Sequence, residues 1–147
     1  MGIMDDSGND ATAQSAEITN STSVMMSTVQ GNKNAIGYVS LGSLSDSVKA
    51  LKLDGAEASV ETIKNGSYKL QRPFNIAYID GSLSKEAQDF IKFITSKEGE
   101  AIITKEGYIG IDATESYTAS KMSGTVTLAG STSVAPVMNV LADEYKN

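Results

Sequence analysis

The chain contains no cysteine and no histidine in 147 residues. That excludes zinc sites of the usual ligand type, thiol nucleophiles, disulfides and every Ser-His-Asp arrangement. Any catalysis would fall to carboxylates, lysine, tyrosine or serine. Arginine occurs once, at Arg72, and the formal net charge is −6, so there is no electrostatic footprint for nucleic acid or anionic lipid. No apolar run approaches the roughly 20 residues needed to cross a bilayer. The opening MGIMDDSGND has neither the basic nor the apolar region of a secretory signal.

What is present is ordinary for a globular domain: 40% hydrophobic and 20% charged residues, in a chain long enough for one core. Residues 1–16 are small and polar, with a short helix expected near 11–16. Asp5, Asp6 and Asp10 lack the alternation of an EF-hand and read as a solvated loop. Asn20 or Ser21 is expected to cap a helix ending near Gln30, with Met25 and Met26 in the core. Strands are expected at 35–40, 50–53, 73–79 and 125–129, with a helical turn at 46–51. A two-turn helix should start at Ser59 and stop at Gly66.

The strongest helical pattern begins at Ser84. Ala87, Phe90, Ile91 and Ile94 share one stripe, with Lys85, Glu86, Asp89 and Lys92 on the opposite face. Gly99 marks a break before a second helical piece, residues 112–123 read as a linker, and a last helix covers 134–146. Strands alternating with helices predict an α/β fold with a largely parallel sheet.

Chemistry concentrates in AGSTSVAPV, residues 129–137. Gly130 permits a sharp turn, Ser131, Thr132 and Ser133 bring hydroxyls, and Pro136 sits just inside a helix start, where its missing N–H costs nothing. The unpaired N–H groups and partial positive charge of a helix start favour an anion there without any basic residue. The same hydroxyls also suit plain capping. Upstream, NSTSV at 20–24 echoes the motif without the preceding strand or the glycine; it reads as a cap, and the echo as coincidence. Arg72 reads as one half of a structural salt bridge, given 18 acidic residues.

These residues carry a resemblance. TVTLAGSTSVAPVMNVLADEY (125–145) resembles the start of mature PstS-type phosphate-binding proteins, which serve ABC importers. GNKNAIGYVSL (31–41), RPFNIAYIDG (72–81) and AQDFIKFITSKEGEAIITKEGYI (87–109) are similar to segments of that family's latter half. The order is reversed relative to the family, and the central part is missing. The resemblance implies a fragment or permuted piece of a type II periplasmic-binding-protein-like fold, extracytoplasmic in its parent. Residues 1–111 would match the C-terminal half, 112–123 a linker, and 124–147 the N-terminal β-α unit.

It further implies inorganic phosphate as ligand, an ABC permease as partner, and no enzymatic step, cofactor or metal. By motif, Thr132 and Ser133 carry over as phosphate ligands, with Ser131 and Gly130 beside them. The family's S-G-S-G-T-R-D motif is absent, so weak binding is expected from this chain alone. Open sheet edges would favour a homodimer. The first rival is a structural or interaction module without ligand, marked by a GSTSV turn occupied by water or by a neighbouring side chain. The second is an enzyme acting on phosphate esters, for which no nucleophile–base pair is evident. If the family's first lobe is rebuilt, Phe90 and Ile94 should pack near Val137 and Leu141.

Overall fold

The helices form where their caps place them. The computed structural model describes residues 4–146. In it, α1 spans Thr22–Gly31, α2 Val60–Lys64, α3 Lys85–Ile94, α4 Lys97–Lys105 and α5 Ala135–Tyr145, with a 3₁₀ turn at Leu41–Ser43. The side chains of Ser21, Ser59, Ser84 and Ser96 accept from the backbone N–H groups of Val24, Thr62, Ala87 and Gly99. Each bond satisfies one donor that a helix start would otherwise leave without a partner.

The break between α3 and α4 falls at Thr95 and Ser96 rather than at Gly99. The buried Ser96 explains it: its Oγ donates to the Phe93 carbonyl at 2.6 Å and accepts from Gly99 N at 3.2 Å. One hydroxyl thus ends one helix and starts the next. Gly99 lies inside α4 because the two helices meet there. A Cβ at this position would stand 2.8 Å from Ile94 Cα.

The core is Phe90, Phe93 and Ile94 of α3, Tyr108, and Val137 and Leu141 of α5, with Ile102, Ile103, Tyr117, Met138 and Tyr145 packed against it. The apolar stripe of α3 therefore meets α5 as expected. Tyr145 reinforces the contact, its ring 5.1 Å from that of Phe90 and 5.5 Å from that of Phe93. Each such side chain contributes roughly 1.5–3 kcal/mol on full burial. Asp89, expected on the outer face of α3, is instead buried, because three hydroxyls converge on its carboxylate.

The strand-forming runs behave differently. Among the described residues, bridge pairing is confined to Met4 with Asp10 and Leu53 with Ala56. The second bridge closes a tight turn in which Asp54 and Gly55 take φ of 51° and 85°. The runs at 35–40, 73–79 and 125–129 have no ladder, and Ile36, Tyr38, Ile76, Tyr78 and Ile79 are exposed. A strand needs a neighbour for its N–H and C=O groups, and these runs find none among the described residues. The helical stretches expected at 11–16 and 46–51 are reduced to turns, including Ala16 N to Ala13 O at 2.9 Å and Val48 N to Ser45 O at 3.4 Å. Met25 and Met26 are half-buried rather than core, since α1 packs on one side only.

Candidate anion cleft between two helix starts

The turn before α5 is organised by its own backbone. The Ser131 carbonyl accepts from Val134 N at 3.0 Å and Ala135 N at 3.1 Å, and Ser131 Oγ accepts from Ser133 N at 3.3 Å. No side chain caps α5, so the plain capping role is not what these hydroxyls perform. Thr132 Oγ1 donates to the Asn20 carbonyl at 3.0 Å and lies 3.2 Å from Thr22 Oγ1. The two S-T-S-V clusters, read as a coincidental echo, touch each other.

Tyr108 pins this turn to the segment that follows α1. Its hydroxyl donates to the Ser133 carbonyl at 3.1 Å and lies 3.3 Å from Ser43 Oγ. Its ring occupies the space above Gly42, where a Cβ would come within 2.6 Å of the ring. Ser40 Oγ also reaches the Ser133 carbonyl, at 3.5 Å.

Between these elements lies a cleft of about 430 Å³, lined by Ser21, Thr22, Ser23, Ser43, Ser45 and Thr132, with Met26, Gly42 and Pro136 completing its walls. That volume is within the range of small-ligand sites. Among the described residues, no charged side chain lines it. Its polarity comes from hydroxyls and from the starts of α1 and α5, each carrying partial positive charge.

Of the four residues singled out by sequence, Thr132 alone lines the cleft. Ser133 is half-buried and engages through its backbone, whereas Ser131 and Gly130 are exposed. Gly130 has open space where a Cβ would stand and no left-handed φ, so neither a close approach nor a strained turn demands a glycine there. The cleft-lining hydroxyls that sequence reasoning did not single out are Ser21, Thr22, Ser23, Ser43 and Ser45, although Ser21 does cap α1 as expected. For the first three, the repeated S-T-S-V was the available signal.

Arg72 forms no ion pair among the described residues; it sits 5.9 Å from the Phe74 ring. The expected salt bridge is not formed among the described residues, and the Asp54 carboxylate pairs with Lys69 instead, at 3.4 Å. Asp5 is spent on its own turn, its carboxylate accepting from Asn9 N at 2.8 Å and Ser7 N at 2.9 Å. These bonds, led by the one from Asn9, hold its carboxyl below the usual range.

No protein-family model matches the chain. Individual relatives do. The phosphate-binding protein PstS 2 of Streptococcus agalactiae (serotype V) is 51% identical over 136 residues, which are 92% of this chain and 46% of that protein. The corresponding Streptococcus pneumoniae (serotype 4) protein is 51% identical over 138 residues, 93% of this chain and 47% of that protein. Pseudomonas aeruginosa PstS is 36% identical over 104 residues, 63% of this chain.

In backbone, the chain resembles a phosphate-binding protein of a phosphate ABC transporter from S. pneumoniae, with TM-score 0.68 at 51% identity, over 91% of this chain and 52% of that one. It also resembles a phosphate ABC transporter substrate-binding protein of Clostridium perfringens solved with bound phosphate, with TM-score 0.67 at 41% identity, over 71% of this chain and 44% of that one. The fold is thus part of the PstS-type α/β fold, and the chain spans about half the length of the curated relatives it matches. The 136 matched residues are more than residues 1–111 alone could supply.

Proposed function

Because the chain is PstS-like over 92% of its length, we propose that it forms part of the phosphate-binding component of an ABC phosphate importer, extracytoplasmic and without an enzymatic step. The anion would lie in the cleft between the starts of α1 and α5, with Thr132 as the contact carried by the family motif and Ser133, Ser131 and Gly130 forming the turn behind it. The observation that carries this reading is the Thr22–Thr132 contact, which turns two helix starts toward one hydroxyl-lined cleft. Phosphate would be bound in the complete protein by closure of a second lobe over this wall, and the closed form presented to the permease.

Affinity follows from the number of contacts. A charge-assisted hydrogen bond contributes about 1.5–3 kcal/mol net, and micromolar binding requires about 8 kcal/mol. Among the described residues no cationic side chain lines the cleft, and several of its hydroxyls already have partners: Ser21 with Ser23 at 3.0 Å, Ser45 with Ser47 at 2.8 Å. This chain alone should therefore bind phosphate weakly.

A second reading, a structural module without ligand, has its own support. The Thr132 hydroxyl is already engaged by Asn20 and Thr22. Calorimetric titration with phosphate, sulfate as control, separates the two readings, with the protein's mass fixed by light scattering. Phosphate-selective heat at millimolar or tighter concentration supports the binding reading. Equal or absent heat with both anions supports the structural one.

A further inference from the structure

Residues 112–123 have no regular secondary structure, yet they are fastened across all three core helices. The Glu115 carbonyl accepts from Lys97 N at 2.9 Å, and Tyr117 N donates to Glu98 Oε2 at 2.7 Å, both at the start of α4. On α3, Asp89 Oδ2 accepts three hydroxyls, from Tyr117, Ser120 and Tyr145, each at 2.7 Å. Tyr145 belongs to α5, so a single carboxylate oxygen joins the connecting segment to both helices. The Tyr117 ring adds an edge contact with Phe93 at 5.2 Å. Beyond it, Gly124 lies against Glu86, leaving a Cβ only 3.0 Å from Glu86 Cγ.

We propose that residues 115–120 are a strap latched by Asp89, and that this latch, rather than the covalent connection alone, locks α5 against α3 and α4 and so sets where the turn at 130–134 stands relative to α1. Without it, α5 is tied to the core by its apolar face and a tether of residues with no pairing. With it, the strap, α3 and α5 share one joint from which none can move alone. A carboxylate in a residue only 7% exposed needs hydrogen-bond donors, and the three that reach Oδ2 come together only in the closed arrangement. Opening the strap strips two of the three donors from a buried charge, which makes latching cooperative. The groups facing Asp89 are the hydroxyls of Tyr117 and Ser120 from the strap, the hydroxyl of Tyr145 from α5, and Lys92 on its own helix.

The test is hydrogen exchange resolved by segment, with tryptic cleavage at Lys121, on the full chain. In Tyr117→Phe/Ser120→Ala, which removes the strap's two donors without changing the core, amides of 113–123 should exchange about tenfold faster or more, and cleavage at Lys121 should rise, while α3 keeps its protection. Asp89→Asn should act in the same direction; if it fails to fold, the conservative double variant decides. In the unaltered chain, lowering the pH through the carboxylate range should release the strap before α3 opens, and Glu98→Gln identifies the share of that response due to Glu98. Strap amides that exchange at unstructured rates in the unaltered chain would overturn the latch. So would a double variant indistinguishable from it.

Discussion

Thr22 Oγ1 and Thr132 Oγ1 lie 3.2 Å apart although 110 positions separate them in sequence. The contact joins the start of α1 to the turn before α5. Thr22→Val and Thr132→Val keep the shape and remove one hydroxyl each. Each variant should lose about 1 kcal/mol of stability, and the double variant less than the sum, because the two share a bond. Urea denaturation of the four chains reads this directly. If the cleft holds phosphate, Thr132→Val should also abolish the calorimetric signal, whereas a purely structural contact predicts a stability change alone.

Acid should weaken the fold through Asp89. Burial pushes its carboxyl up, but the hydrogen bonds from Tyr117, Tyr145 and Ser120, with nearby Lys92, outweigh burial and hold it below the usual value near 3.8. A folded value lower than the unfolded one gives stability that is present above the ordinary carboxylate range and lost as the pH falls through the lowered folded value. The stability gap between the unaltered chain and Asp89→Asn should therefore be wide above the ordinary carboxylate range and narrow as the pH falls through the lowered folded value. Thermal melts across this range check it; a gap independent of pH would refute the assignment.

Alkali should act through Tyr145. Burial first, and then the Asp89 carboxylate, push its hydroxyl well above its ordinary value of 10.0. Here the folded value is raised, so the stability is present below the ordinary tyrosine range and lost as the pH rises toward the folded value. Tyr145→Phe should lose this alkaline sensitivity. Ultraviolet titration of tyrosinate, comparing the unaltered chain with Tyr145→Phe, should show a late-titrating tyrosine in the former alone.

Gly99→Ala offers a test of packing against propensity. Alanine gains roughly 1 kcal/mol over glycine in a helix interior. At this position, though, its Cβ would meet backbone atoms, the Phe93 carbonyl oxygen and Ile94 Cα, the latter at 2.8 Å. Backbone cannot yield as a flexible side chain can, and overpacking costs about 1–3 kcal/mol. The variant should be less stable than the parent, with a lower urea midpoint. A higher midpoint would show that α3 and α4 separate easily.

The exposed runs predict self-association. Ile36 and Ile79 are 79% and 78% exposed on segments with strand-forming composition and no partner, a surface that attracts another chain. Light scattering at tens of micromolar should give a mass above 15.4 kDa. Replacing both residues by lysine should return the chain to a monomer, and an unaltered mass in that variant would move the contact elsewhere.

The helices were legible because their determinants are local. Ser21, Ser59 and Ser84 sit at their caps, and the stripe through Phe90 and Ile94 repeats at helical spacing and meets Val137 and Leu141 as its periodicity required. The resemblance to PstS-type proteins was likewise carried by contiguous motifs, and the relatives bear it out. Periodicity failed at Asp89. A charged residue on the outer side of a stripe is exposed unless distant donors reach it, and Tyr117, Ser120 and Tyr145 lie far along the chain.

The strand-forming runs failed for the converse reason. Residues 35–40, 73–79 and 125–129 have the composition for strands, but a ladder is a property of two segments, and among the described residues these runs are not brought side by side. The cleft stands between these cases. Its turn at 130–134 was legible as a helix start, and Ser21 as a cap, but that the two segments face each other across one cleft was not. By itself the sequence determined the helices, their caps and the kinship, all of which rest on neighbours within a few positions. The tertiary structure alone decided that Thr22 faces Thr132 and that Asp89 is buried, because both depend on contacts closed over long loops, which no local pattern encodes.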